Sequence, residues 1–496
     1  MGDDLTRRDL IRAGGAGAAG VTLLGAAACA GDDPAAGRIP ARRAAAPSGA
    51  MNVVVVVMDS LRADHVYGSR ARTPTMSRVA QQGLRFTRAY PEGMPTIPAR
   101  RAIMAGRRTF PFRGWHPHRG LPPQPGWEPV GSDGKTWTEV LREQGWTTGY
   151  VTDNPHLLLG AHRRFRRTFD RVELVDGQVP LRRRPARRPS RHEVARHLPP
   201  ALRGSRAEPR MAAYLAANPR DRSEEEFLAA RVFRNGMSWI EWAQARQPFA
   251  LVIDAFDAHE PWDAPRRIKD LYGRPSAPLE PIQPFPTPAA KYRGLHLTQS
   301  ILRRMRQLYA AEVTLVDTWL GHFLDRLANL GLEENTMVVL ISDHGVLLGE
   351  YGWVGKRYSE IHDELSHVPF LIRHPEGKAS GRSSRYFAST HDVGPTVLSA
   401  LGRAIPRHMD GVDLTPLLEG RQPRRARPYR TTAYNDHVAA SDGHWLLVSD
   451  NQGRDKRLYS TANERVNVAG RNPRHVRRLW GYLKRDAGPK GLPRFK

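Results

Sequence analysis

The sequence predicts an α/β fold: a large, mainly parallel central sheet flanked by helices, followed by a small C-terminal antiparallel-sheet subdomain. Three observations predict it. The runs Val53 to Met58 (VVVVVM) and Met337 to Ile341 (MVVLI) are continuously apolar and rich in β-branched residues. That is the pattern of strands covered on both faces, as in a parallel sheet. Between about residues 50 and 400 such runs alternate with stretches of helical periodicity, the order expected of βα units. From about Thr431 the texture changes to short alternating segments, HVAASDGHWLLVSD and RLYST, which read as antiparallel strands.

Each element has its own reason. In residues 31–50 Gly, Pro, Ala and Arg predominate without a period, and the stretch reads as a linker. After the Val53 to Met58 strand, Thr73 to Gln82 is a short helix with Met76, Val79 and Ala80 on one side, stopped by Gly83. LRFTRAY is the next strand. In PTIPARRAIMAG, Pro98 suits a first helical position and Gly106 a C-cap. Residues 107–131, rich in Pro, Gly, Trp and His, read as an irregular loop near the site. Thr136 to Gln144 is a helix, and Thr147 to Thr152 a strand ending in Asp153 and Asn154. Residues 160–210 hold RRFRRTF and LRRRPARRPSR, a basic surface insertion. Glu224 to Ala245 and Leu308 to Leu330 are long helices by their apolar spacing, and PFALVIDAFDAHEPW between them is a strand with His259 just past its end. A helix near Val393 to Leu401 follows HVPFLIRHP, and the chain closes with a helix in Pro473 to Leu483. The large α/β domain therefore spans residues 51–425 and the C-terminal subdomain 426–496.

A chain of 496 residues with 40% apolar content can bury a sizeable core. Its formal charge is +26, from 76 Lys and Arg against 50 Asp and Glu. The excess is dispersed and comes without finger spacing, a helix-turn-helix signal or an aromatic-plus-basic strand pattern, so nucleic acid is not the expected partner. An anionic small molecule or an anionic surface fits the charge equally well. Residues 1–30 place Arg7 and Arg8 before a weakly apolar Gly/Ala run and resemble a twin-arginine export signal, too short and too rich in Gly and Ala to span a membrane stably. Cys29 is the single cysteine. It follows Leu24, Gly25 and three alanines as in a degenerate lipoprotein cleavage site, which would make it an acylated first residue and a lipid anchor to the membrane. The expected location is the cell surface if lipid-anchored, and otherwise extracellular or periplasmic. A sole cysteine permits no intrachain disulfide, so folding there relies on the core.

The chemistry begins with acids at strand ends. Asp59 ends the first strand; Asp343 and His344 end the MVVLI strand, where a carboxylate and an imidazole are suitably placed for a metal. Two such acids meet only if the chain between them folds over one sheet. Thr96 lies at the approach to a helix whose first amides favour an anion, with Arg100 one turn on. The plain alternative is that Thr96 is an ordinary N-cap hydroxyl. The chain lacks G-x-G-x-x-G after the first strand, which sets a dinucleotide-binding reading aside.

Taken together, VVVVVMDSLRADHVYG, TPTMSRVAQQGLRFTRAY, PTIPARRAIMAG, YAAEVTLVDTWLGHFLDRLANLGLEENTMVVLISDHG, GEYGWVGK and HDVGPTVLSALG resemble the sulfatase family within the alkaline-phosphatase-like hydrolases. The likeness keeps its order over about residues 50 to 485. It implies Asp59, Asp343, His344 and the Thr96 oxygen as ligands of a divalent metal ion, Thr96 as nucleophile, and Arg100, Lys356 and His259 around the anionic group. Asp64 and His65 fall in a matched run and read as loop-fixing residues. The implied substrate is an anionic small-molecule or saccharide ester.

Two departures shape the expectation. Sulfatases begin the nucleophile motif with Cys or Ser, which is oxidised to formylglycine; Thr96 would give a ketone by the same oxidation. An unmodified Thr is what the phosphate-handling relatives use. The expected activity is therefore cleavage of phosphate mono- or diesters. The alternatives are sulfuric ester hydrolysis without formylglycine, and an inactive sulfatase-like binding protein. Secondly, Ser60 stands where the family often has a second Asp. Fewer carboxylates favour one Mn²⁺ or Zn²⁺, with Ca²⁺ the remaining candidate.

Overall fold

The computed structural model describes residues 45–47, 49–176, 188–218, 222–274, 279–283 and 289–495. Arg7, Arg8 and Cys29 lie outside the described residues, as does part of the basic insertion. The strands, in chain order, are β1 (Asn52–Met58), β2 (Leu84–Phe86), β3 (Gly93–Met94), β4 (Thr147–Thr152), β5 (Arg171–Leu174), β6 (Phe249–Ala255), β7 (Ala289–Lys291), β8 (Thr336–Ser342), β9 (Leu347–Leu348), β10 (Trp353–Gly355), β11 (Phe370–Arg373), β12 (Arg382–Ser384), β13 (Arg430–Tyr434), β14 (His437–Ser441), β15 (Trp445–Asp450) and β16 (Arg457–Ser460). Seven helices matter here: α1 (Pro74–Gln82), α2 (Thr96–Ala105), α3 (Trp137–Glu143), α4 (Leu228–Ala243), α5 (Gln299–Asn329), α6 (Val393–Ala400) and α7 (Pro473–Ala487).

Eight strands form the main sheet in the order β12-β2-β11-β8-β1-β6-β4-β5. From β8 to β5 every pairing is parallel; β11 is the antiparallel member, pairing so with both β8 and β2. Alternation along β1 explains its unbroken valines. Val54, Val56 and Met58 face one core with Trp239, Phe323 and Leu320 of α4 and α5. Val53, Val55 and Val57 face the other, with Ile97, Trp137 and Val397 of α2, α3 and α6. Both faces are covered, so each alternate position must be apolar. Each buried valine contributes about 1.5–3 kcal/mol relative to exposure.

The second sheet has the order β16-β15-β14-β13-β3. Its innermost strand is not from the C-terminal stretch: β3, two residues before Thr96, pairs in parallel with β13. A three-stranded ribbon, β7-β10-β9, stands apart and ends β10 immediately before Lys356.

The helices differ from expectation in three places. α2 begins at Thr96, so Pro98 is its third residue rather than its first; Gly106 does close it, in the left-handed region at φ 59°. The stretch from Glu224 is interrupted at Phe227, which is extended (φ −68°, ψ 154°), between a single turn at Glu224–Glu226 and α4. α5 starts at Gln299, capped by Thr298, because Leu302 and Met305 continue its buried stripe through the polar QSILRRMRQ. Among the described residues no helix is long and apolar enough to cross a membrane.

Candidate active site

Register sets the centre of the site. β1 and β8 pair with Met58 opposite Ser342, so the next residue of each, Asp59 and Asp343, leaves the sheet side by side at its carboxyl edge. His344 follows. Ligand atoms of Asp59, Asp343 and His344 all lie within 4.8 Å of one another, and all three residues are fully buried. Ser60, at φ 58°, turns the chain there. Its amide donates to Asp343 Oδ1 at 3.0 Å and its hydroxyl to Asp59 Oδ1 at 2.8 Å.

The histidine is held as a neutral acceptor. His344 Nδ1 lies 2.8 Å from the Gly345 carbonyl, which places the proton on Nδ1. Nε2 then faces the carboxylates, 3.5 Å from Asp343 Oδ2 and 3.8 Å from Asp59 Oδ1. Burial lowers its pKa to about 4. Burial, and next the Asp343 charge, raises the Asp59 carboxyl above its ordinary value.

Arg100 ties α2 to these acids. Its Nη1 is 2.5 Å from Asp343 Oδ2 and 3.2 Å from Asp59 Oδ2, and donates to the Thr96 carbonyl at 3.1 Å. Nε and Nη2 donate to Asp254 at 2.9 and 2.7 Å, and the Tyr150 hydroxyl donates to Asp254 Oδ2 at 2.8 Å. The first turn of α2 thus sits against the strand-end carboxylates, with Thr96 as its first residue and only 4% exposed.

A second group of charges stands beside it. Lys356 Nζ donates to Glu260 at 2.9 Å and lies 3.0 Å from His259 Nε2. His259 Nδ1 is 2.7 Å from the Glu260 carbonyl, and its ring stacks on Phe256 at 4.1 Å. Burial, then the Lys356 charge, pushes its pKa well below the ordinary value, so the imidazole is neutral and accepts from the ammonium. His156 is half-buried; desolvation, with the Arg100 and Lys356 charges, lowers its pKa to about 4. The Tyr434 hydroxyl donates to the Lys356 carbonyl, which fixes the ribbon to the C-terminal sheet.

A divalent cation fits this donor set. Asp59 Oδ2 and His344 Nε2 are buried with no hydrogen-bond partner. Asp59, Asp343 and Asp254 face a single guanidinium, while Lys356 is matched by Glu260, leaving two buried negative charges in excess. Buried acceptors that receive no hydrogen bond and uncompensated buried charge are each costly, and one divalent ion relieves both.

The family model named Sulfatase matches residues 51–403. The chain belongs to the sulfatase family. Among curated relatives, it is 34% identical over 126 residues to an N-acetylglucosamine-6-O-sulfatase of Bacteroides thetaiotaomicron, covering 25% of this chain and 22% of that protein. It is 25% identical over 382 residues to an ulvan-active sulfatase of Formosa agariphila, covering 76% and 66%. The chain thus spans less than two thirds of the length of either. In fold it is similar to a phosphonate monoester hydrolase from Silicibacter pomeroyi, with TM-score 0.65, 20% identity, and coverage of 88% and 94%. The neighbours share the α/β architecture with its large mainly parallel sheet.

Of the residues expected from sequence, Asp59, Asp343, His344 and Arg100 converge, Thr96 lies on the turn that Arg100 holds, and Lys356 and His259 pair with each other. Asp64 and His65 stand elsewhere: Asp64 is salt-bridged to Arg62 and Arg70 and bonded to His65. Sequence reasoning missed Asp254, Tyr150, Glu260 and His156. Asp254 had a readable signal, an acid inside the otherwise apolar FALVIDA strand; His156 had only its place just after Asp153 and Asn154.

Proposed function

We propose that this sulfatase-family hydrolase cleaves phosphate mono- or diesters with Thr96 as an unmodified nucleophile. The observation that carries the reading is the placement of Thr96: first residue of α2, held against the Asp59 and Asp343 carboxylates through Arg100 Nη1. A threonine cannot become the aldehyde that formylglycine chemistry needs, whereas its hydroxyl suits phosphoryl transfer. A divalent ion held by Asp59, Asp343, His344 and the Thr96 oxygen would lower the pKa of that hydroxyl and offset charge on the ester; Mn²⁺ and Zn²⁺ suit the set best, with Ca²⁺ the remaining candidate.

The chain's own groups account for the rest. Arg100, fixed by Asp254, and Lys356, fixed by Glu260, hold positive charge where the equatorial oxygens gather negative charge. Neutral His259 keeps Lys356 turned to the site. Thr96 Oγ bonds to phosphorus, the bond to the leaving oxygen breaks, and the proton lost from the hydroxyl is balanced by the one the alkoxide takes up. Water then hydrolyses the ester at Thr96, releasing phosphate when the substrate is a monoester and a phosphate monoester when it is a diester, and restoring the hydroxyl.

The saccharide sulfatases among the relatives favour a second reading, sulfuric ester hydrolysis at the same threonine. Rates for aryl phosphate, aryl phosphodiester and aryl sulfate, with Mn²⁺, Zn²⁺ or Ca²⁺ and after chelation, separate the two. Phosphoester turnover that needs the metal is the expected result. Sulfate turnover far above it, still lost in Thr96→Ala, would establish the second reading instead. We also propose twin-arginine export of the folded chain, with Cys29 as a lipid anchor.

A further inference from the structure

The last helix carries a feature that the hydrolase site does not use. α7 buries Leu479, Leu483 and Ala487 against the C-terminal sheet, so its apolar face is already covered. The outward face is basic, with Arg474, Arg477, Arg478, Lys484 and Arg485 all exposed. Residues 471–495 hold eight Lys and Arg against one acid, Asp486, and that acid is engaged by Arg108, Thr431 and Tyr429.

The spacing makes a stripe. At 3.6 residues per turn, Arg474, Arg477, Gly481, Lys484 and Arg485 fall along one side, about 16 Å from end to end. Gly481 sits in the middle, exposed, and a Cβ there would meet nothing within 4 Å. A helical glycine costs about 1 kcal/mol relative to alanine, and no packing contact of the protein explains this one. Its neighbours Trp480 and Tyr482 lie about 100° to either side, half-buried, and flank the stripe with aromatic surface. Tyr482 is braced by stacking on Tyr429 at 3.9 Å, and Trp480 lies under the Lys456 ammonium at 4.5 Å.

We propose that this stripe binds a linear polyanionic saccharide, a sulfated or otherwise acidic glycan chain. Cations spaced along one helix face match charges spaced along a chain, bare backbone at Gly481 admits close approach, and aromatic flanks suit sugar rings. A membrane fits less well, because the helix has no free apolar face to insert. The stripe is an exosite: the C-terminal sheet stands between it and the catalytic edge, one face packing α7 and the other packing Met94, Ile361 and Leu365. It would hold a polymer near the site and raise its local concentration. The binding claim is independent of the ester chemistry; only its extension to substrate rests on the hydrolase reading.

Heparin affinity of the full chain, measured by calorimetry at fixed salt, is the test. The triple variant Arg474→Gln, Arg477→Gln, Lys484→Gln should bind at least about tenfold more weakly, with a shallower salt dependence, and hydrolyse a small aryl phosphate as before. Gly481→Ala should raise the thermal midpoint yet weaken heparin binding several-fold. Unchanged heparin affinity in the triple variant overturns the proposal. So does tighter binding of phosphatidylglycerol vesicles or duplex DNA than of heparin. Heparin binding that falls as expected in a chain without aryl ester turnover sustains the exosite while removing the hydrolase reading.

Discussion

Arg100 carries more of the electrostatics than any other side chain of the site. It faces three carboxylates from three strand ends, and two of its nitrogens are spent on Asp254 so that the third points at Asp59, Asp343 and the Thr96 carbonyl. Asp254 and Tyr150 are therefore positioning residues. Tyr150→Phe removes one buried hydrogen bond, costing about 1 kcal/mol; kcat for an aryl phosphate should drop several-fold while the denaturation midpoint hardly moves. Asp254→Asn breaks a buried charge pair and should cost about 3 kcal/mol in stability as well as activity. An Asp254→Asn variant with wild-type kcat would show that Arg100 needs no fixing. At this scale the sequence was readable for strand-end acids, because strand ends announce themselves by the change from apolar to polar. It was silent on His156 and Glu260, because a single His in a one-turn helix or a single Glu in a loop has no pattern and only folding gives it a neighbour.

Among the elements, α2 is the one on which the proposed chemistry depends. Its N-terminus holds Thr96 and its C-terminus ends at Gly106, where φ is 59° and a Cβ would fall 2.8 Å from Pro395 and 2.9 Å from Met409. Gly106→Ala combines left-handed strain with overlap on α6, so a loss of at least about 1–2 kcal/mol is expected in a denaturant melt. An unchanged midpoint would mean that α2 and α6 shift freely. The central strands and α1, α3 and α6 were legible because their periodicity is long or their caps are strong, as with Thr136, whose capping box with Glu139 starts α3. What escaped was long-range pairing. The C-terminal texture read correctly as antiparallel strands, yet nothing local to Gly93 and Met94 says that they join those strands across more than three hundred residues. Pro98 misled for a related reason: proline is tolerated throughout the first turn, so it marks a helix start only to within a residue or two.

Over the whole molecule, buried titratable groups set the response to pH. Burial lowers His156 to about 4 and His162 to about 3, against about 6.5 when unfolded. Below pH 6.5 the unfolded chain takes up protons that the folded chain refuses, so stability should fall between pH 6.5 and 4 by on the order of a few kcal/mol. His162→Gln, remote from the carboxylates, should flatten that slope; an equally steep slope would assign it to other groups. Glu312 acts in the opposite sense. Burial raises its carboxyl well above the ordinary value, so its contribution is present at low pH and lost as pH rises. The proposed export concerns the whole chain too: replacing Arg7 and Arg8 by Lys should leave precursor in the cytoplasm, and normal fractionation of that variant would refute the twin-arginine route. The central claim is that Thr96 becomes covalently linked to the transferred group. The most direct measurement is peptide mass spectrometry of enzyme acid-quenched during turnover of an aryl phosphate. A phosphoryl group on Thr96, absent from Thr96→Ala, is the predicted result; turnover by wild type and Thr96→Ala alike, with no modified Thr96 peptide, would contradict it and make water the attacking group.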